Sequence, residues 1–221
     1  MINLYKYYSK PESLTGYKDR FKYIPKLAYN EAIKTPDNRS PELEPYIMKD
    51  PSIATQYARY IINGRWPEAE PIIMKDPFGA AKYALEIIEG RWPDAEPIIM
   101  KNPYDAYWYA KDIIKGRWPE AEPYIMKDAS NAYWYAANVI KGRWPEAEPY
   151  IIQKPYEAYR YARDIIKDRW PEAEPTIMQK PSSACFYARY VIQGRWPEAE
   201  PIITKDPAYA TKYKQFIKSL G

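Results

Sequence analysis

The chain has 221 residues, 46% of them apolar and 16% aromatic, which is ample for burial and excludes a disordered chain. It contains no histidine and a single cysteine, Cys185, so there is no imidazole to serve as base or ligand and no second thiol for an internal disulfide. A net charge of +4 is small for this length and gives only a faint lean towards acidic partners.

Residues 1–24 are rich in Tyr and Lys, carry a turn or helix start at Pro11-Glu12-Ser13-Leu14, and are expected to form an N-terminal cap. The opening Met1-Ile2-Asn3-Leu4 has no apolar run of signal-peptide type, and no stretch is long enough to cross a bilayer, so no membrane partner is expected. With one cysteine, a reducing, cytoplasmic setting is the expectation.

From residue 25 onward one unit recurs. Trp66, Trp92, Trp118, Trp144, Trp170 and Trp196 mark a fixed step of 26 residues, each inside a segment of the type Gly64-Arg65-Trp66-Pro67-Glu68-Ala69-Glu70-Pro71. Seven tandem copies cover 25–206, and the first, 25–50, is degenerate, with Arg39-Ser40-Pro41 in place of the Trp motif. A half copy, 207–221, carries Lys214 and Lys218 where full copies have Ala and Ile or Val, and is expected to cap the array with a polar outer side. A repeat this regular predicts an all-α fold, an α-solenoid of tandem 26-residue helical hairpins forming one continuous domain.

Within a copy the first half predicts a helix. Taking Pro51 to Asn63, the apolar positions Ala54, Tyr57, Ala58, Ile61 and Ile62 have the spacing of one helical face. Asp50, Asp76, Asn102, Asp128 and Asp206 stand at the N-cap, with Lys154 and Lys180 breaking that rule. Gly64 and its counterparts are expected to supply the left-handed residue that stops the helix, with Asp168 the exception. The second half predicts a tight turn through Glu68-Ala69-Glu70 and a brief helix with Pro71 in its first turn and Ile73 inward.

The recurrent Arg65/Glu70 pair is present in every copy, whereas a catalytic pair is needed once. It predicts an inter-repeat ion-pair ladder, and the Trp column predicts a groove filler. No catalytic residue, metal site or cofactor is assigned, and no enzymatic activity is expected. Positions that differ between copies are more informative. Opposite the predicted buried face stand Gln56, Lys82, Trp108, Trp134, Arg160, Phe186 and Lys212 in turn, with Tyr104, Tyr107, Tyr133, Tyr156 and Tyr159 on or beside the same side. An aromatic patch with Arg160 and Arg163 at its edge has the composition of a protein-binding hot spot. Tyr104, Trp108, Tyr133, Trp134, Tyr156, Arg160, Arg163 and Phe186 are therefore the candidate partner-binding residues.

Nucleic acid is the weaker alternative. The long helices from Pro51 carry twelve Lys/Arg against six Asp/Glu, but the basic stripe is interrupted by Glu86, Glu89, Asp105, Asp112, Glu157 and Asp164. Self-association, as a homo-oligomer or in a virion, is the other alternative.

The repeat resembles a family of tandem helical repeats found in bacteriophage and phage-like proteins, in which Tyr-Ala-x-x-Val/Ile-Ile/Leu-x-Gly-Arg-Trp/Phe-Pro is followed by Glu and an apolar pair. The likeness spans residues 25–221 and is specific in Tyr83-Ala84 through Gly90-Arg91-Trp92-Pro93. The opening Leu4-Tyr5-Lys6-Tyr7-Tyr8 through Leu14 resembles the start of such proteins, and Ser40, Ala129 and Asp168 depart from the pattern. The resemblance implies a viral origin and a helical array, and it brings no catalytic or binding residues with it. Together these features point to a non-enzymatic binding or scaffold protein, phage-encoded, that engages a host or viral protein, a component of host defence included.

Overall fold

A computed structural model describes residues 25–34 and 39–221, so the predicted cap at 1–24 lies outside the described residues. The fold is an all-α solenoid of repeats, and among the described residues there is no strand. The chain divides into two compact units, Met1–Ile99 and Met100–Gly221, each taken by itself below.

In the first unit α1 is Pro25–Ala32 and α2 is Glu44–Ile47. The long helix α3 runs over Pro51–Tyr57 and widens into a π turn at Ala58–Ile62. The four-residue α4, Glu70–Ile73, completes that copy, and the next consists of α5, Pro77–Tyr83 with a π turn at Ala84–Ile88, and α6, Glu96–Ile99. Helices α1, α3 and α5 are in successive contact.

The second unit repeats the arrangement. Its long helices are α7 (Pro103–Tyr109), α9 (Ala129–Tyr135), α11 (Pro155–Tyr161) and α13 (Pro181–Tyr187). Each widens into a π turn, at Ala110–Ile114, Ala136–Ile140, Ala162–Ile166 and Ala188–Ile192. The short helices are α8 (Glu122–Ile125), α10 (Glu148–Ile151), α12 (Glu174–Ile177) and α14 (Glu200–Ile203). Helix α15, Pro207–Lys218, is α-helical throughout, with Lys214 and Lys218 exposed.

The starts of the long helices follow from their caps. Asp50, Asp76 and Asp128 accept the backbone N–H three residues on at 2.8–2.9 Å, and Asn102 and Asp206 accept two each. A proline follows in most copies, where its missing N–H removes nothing from the helix. Lys154 and Lys180 keep the extended backbone of a cap without its side-chain bond.

The ends differ from the sequence expectation. The left-handed residue is not the glycine but its predecessor: Asn63, Glu89, Lys115, Lys141, Lys167 and Gln193 have φ between +54° and +61°. The π turn closes on this residue: the Asn63 N–H bonds the Ala58 carbonyl five residues back, and the Gly64 N–H reaches the same carbonyl at 3.2 Å. In the copy with Asp168 the closing bond is Lys167 N–H to the Ala162 carbonyl, 2.7 Å.

The inward column is small and uniform. Ala54, Tyr57 and Ala58 of α3 are fully buried, as are their counterparts in α9 and α11, and so are Ile73 and Ile99 of the short helices. Alanine at two of these positions lets adjacent helices approach closely, and one tyrosine per copy supplies bulk.

Candidate functional site

Two side-chain systems recur, one holding the array and one facing solvent. In the first, Arg65 grips Glu70 with two parallel bonds, Nε to Oε1 and Nη2 to Oε2, both 2.8 Å. Glu70 is buried, and its Oε1 also accepts the Tyr83 hydroxyl at 3.1 Å. That hydroxyl in turn accepts the Trp66 backbone N–H at 2.6 Å. The same set recurs at Trp118/Glu122/Tyr135, Trp144/Glu148/Tyr161, Trp170/Glu174/Tyr187 and Trp196/Glu200/Tyr213. The ion pair thus lies within a copy, and the side chain that crosses to the neighbouring copy is the tyrosine, which corrects the expected inter-repeat ladder. Charge still acts between copies: Asp94 lies close enough to raise the Arg65 pKa, after the larger effects of Glu70, and Glu146 does the same for Arg117.

The Trp column fills the interior as expected. Trp66 is 1% exposed and its ring lies 5.1 Å from that of Tyr57, a geometry that repeats with centroids 4.9–5.3 Å apart. In the degenerate copy Ser40 replaces Trp, and Tyr57 takes the Ser40 backbone N–H at 2.9 Å. The bond needs only a backbone donor, so it survives the loss of the ring.

The second system is the outer side of the long helices in the second unit. Trp108 and Trp134 are 38% and 39% exposed, and Tyr104 and Tyr156 are 53% and 44% exposed. The cations sit against these rings: Lys111 Nζ lies 4.2 Å from the Trp108 centroid, and the Arg160 guanidinium lies 4.1 Å from Tyr133 and 4.4 Å from Trp134. Tyr104 and Tyr107 flank Trp108 at 6.0 and 5.1 Å.

Of the candidate residues, Tyr104, Trp108, Trp134, Tyr156 and Arg163 are exposed, while Arg160 and Phe186 are half-buried. Tyr133 is buried, 3% exposed, and corrects the expectation that it belongs to the open side. It donates to Asp164 Oδ2 at 2.7 Å in the next long helix, and burial with that bond pushes its hydroxyl up to about 12. Tyr107 and Tyr159 are buried likewise; Tyr107 accepts from Asn138 Nδ2 at 2.9 Å and Tyr159 from Arg163 Nη1 at 2.7 Å. Arg163 also holds Asp164 with two bonds of 2.6 and 2.8 Å. Burial raises the Asp164 carboxyl, but the bonds from Arg163 and Tyr133 outweigh it and leave the group below its usual range. Phe186 joins the row through Tyr159 at 5.9 Å and Tyr209 at 5.9 Å.

Cys185 is buried, and burial pushes its thiol up. Among the described residues no group of three potential metal-ligating side chains is brought together, and no helix is long and apolar enough to cross a membrane. No protein-family model matches the chain, and no curated protein or solved structure matches it.

Proposed function

We propose that the protein is a non-enzymatic binding protein that captures a protein partner on the outer side of helices α7, α9 and α11. The observation that carries this reading is the pair Trp108 and Trp134, more than a third exposed at a position the other copies fill with Gln56, Lys82, Arg160, Phe186 and Lys212. Apolar area left open on adjacent helices, ringed by Lys111 and Arg160, is the composition from which interface anchors are made. The rings are braced by Tyr107, Tyr133 and Arg160, so a partner meets a preformed surface and little ordering entropy is lost on binding. Phage origin and a host protein as the target, acting in the host cytoplasm, belong to this proposal and rest on the sequence resemblance alone.

The test is capture from a bacterial host lysate by wild type beside the Trp108→Ala/Trp134→Ala variant, with circular dichroism to establish equal helicity. A protein retained by wild type and lost in the variant supports the reading. Equal retention by both overturns it, and retention of wild-type protein by itself, with a concentration-dependent mass in light scattering, replaces it with self-association.

A further inference from the structure

The same three copies that carry this aromatic row hold a second, separate column. Lys115, Lys141 and Lys167 each follow a π turn, at the left-handed position, with φ of +59°, +59° and +61°. All three are exposed, and successive π turns of this unit are in contact, so the lysines stand one repeat apart. A long side chain is an expensive choice there, because a β-carbon is disfavoured in left-handed backbone and glycine is not. A cation near a helix C-terminus also complements the macrodipole. That explanation would apply to every copy, yet the equivalent residues elsewhere are Asn63, Glu89 and Gln193.

The charge around them is unbalanced. The carboxylates on these helices are already engaged: Asp112 with Lys111, Asp164 with Arg163 and Tyr133, and Glu157 with the Ser130 hydroxyl. Lys115, Lys141 and Lys167 form no ion pair among the described residues. The unpaired charge of this column is therefore positive and periodic, with the Asp168 carboxylate after Lys167 as an exception, and the copies of Lys115 and Lys141 also carry the exposed indole rings of Trp108 and Trp134.

Resting on the binding reading above, we infer that the partner presents an acidic, extended polypeptide segment whose carboxylates meet Lys115, Lys141 and Lys167 in turn. Packed helices lie roughly 8–10 Å apart, and a chain extended as polyproline II rises about 3.1 Å per residue with about three residues per turn, so one acidic residue in three returns to the same side in step with the lysines. The apolar residues between them meet Trp108 and Trp134. A nucleic acid strand fits less well. Base stacking needs open ring faces, and here Lys111 lies over Trp108 and Arg160 over Trp134.

The probe is a fluorescein-labelled nonapeptide with glutamate at its first, fourth and seventh positions and leucine after each, compared with its glutamine version and with an oligothymidylate, by anisotropy at low salt. Wild type should bind the glutamate peptide at least tenfold more tightly than the glutamine peptide. The Lys115→Gly/Lys141→Gly/Lys167→Gly variant should lose that preference while melting no lower than wild type, since glycine suits the left-handed backbone. Tighter binding of the oligothymidylate, an undiminished preference in the triple variant, or no binding of the glutamate peptide overturns the inference. If both peptides bind alike and both are lost in Trp108→Ala/Trp134→Ala, the acidic assignment falls while the protein-binding surface stands.

Discussion

The Tyr135 hydroxyl accepts the backbone N–H of Trp118, seventeen residues earlier, at 2.7 Å, and this bond fastens one copy to the next. Both groups are buried, and the hydroxyl also donates to Glu122 at 3.0 Å. Tyr135→Phe keeps the ring and strands a buried donor, so it should cost about 1–3 kcal/mol. Urea unfolding would measure this, and an unchanged midpoint would mean that the bond contributes nothing.

The two ends of the ion pair should not be equivalent. The Arg117 side chain is 54% exposed and that of Glu122 11%. Arg117→Ala should therefore cost no more than about 1 kcal/mol, the range of surface pairs. Glu122→Ala removes the acceptor of Tyr135 as well and should cost about 1–3 kcal/mol. Equal losses in the two variants would contradict this ordering.

Alkaline pH should unfold the protein through its tyrosines. Burial raises Tyr83 and Tyr133 to about 12, against about 10 in an unfolded chain. The folded state holds these protons more tightly, so their contribution is complete below pH 10 and disappears as pH rises towards 12. Absorbance at 295 nm should show one class of phenols ionising near 10 and a second ionising only as helicity is lost. A single smooth titration with helicity retained would exclude the coupling.

The helix ends give opposite expectations for neighbouring residues. A β-carbon added at Gly142 meets nothing within 4 Å, and this residue does not have the left-handed φ, so Gly142→Ala should be neutral or stabilise slightly. Lys141, at φ +59°, is the left-handed residue, and Lys141→Gly should stabilise by about 1 kcal/mol. Thermal melts of the two variants decide it, and a large loss from Gly142→Ala would show that the glycine has a conformational duty after all.

The helices, their Asp caps and the inward Ala, Tyr and Ile were legible because each follows from local spacing or local capping. The ends were not. Gly64 suggests a left-handed stop, but the π turn closes on Asn63, which takes the left-handed backbone instead, and nothing in the letters marks that widening. The junction bond was also hidden, since Tyr83 reaches a backbone N–H, which leaves no residue type to covary or repeat. Tyr133 was misplaced for a third reason. A wheel drawn on one helix cannot show that Asp164 of the following helix comes over the phenol and covers it.

Within each unit the junctions close through the same phenol, the same carboxylate and a main-chain amide, and Ser40 shows that even the indole can be dispensed with. Copies built in this way are interchangeable parts. A recombination event that removes or duplicates one 26-residue segment restores every fastening it interrupts, and what it alters is the order of outward residues such as Trp134 and Arg160. Such a gene can rewrite its outward face by whole-segment exchange, without searching again for a stable frame.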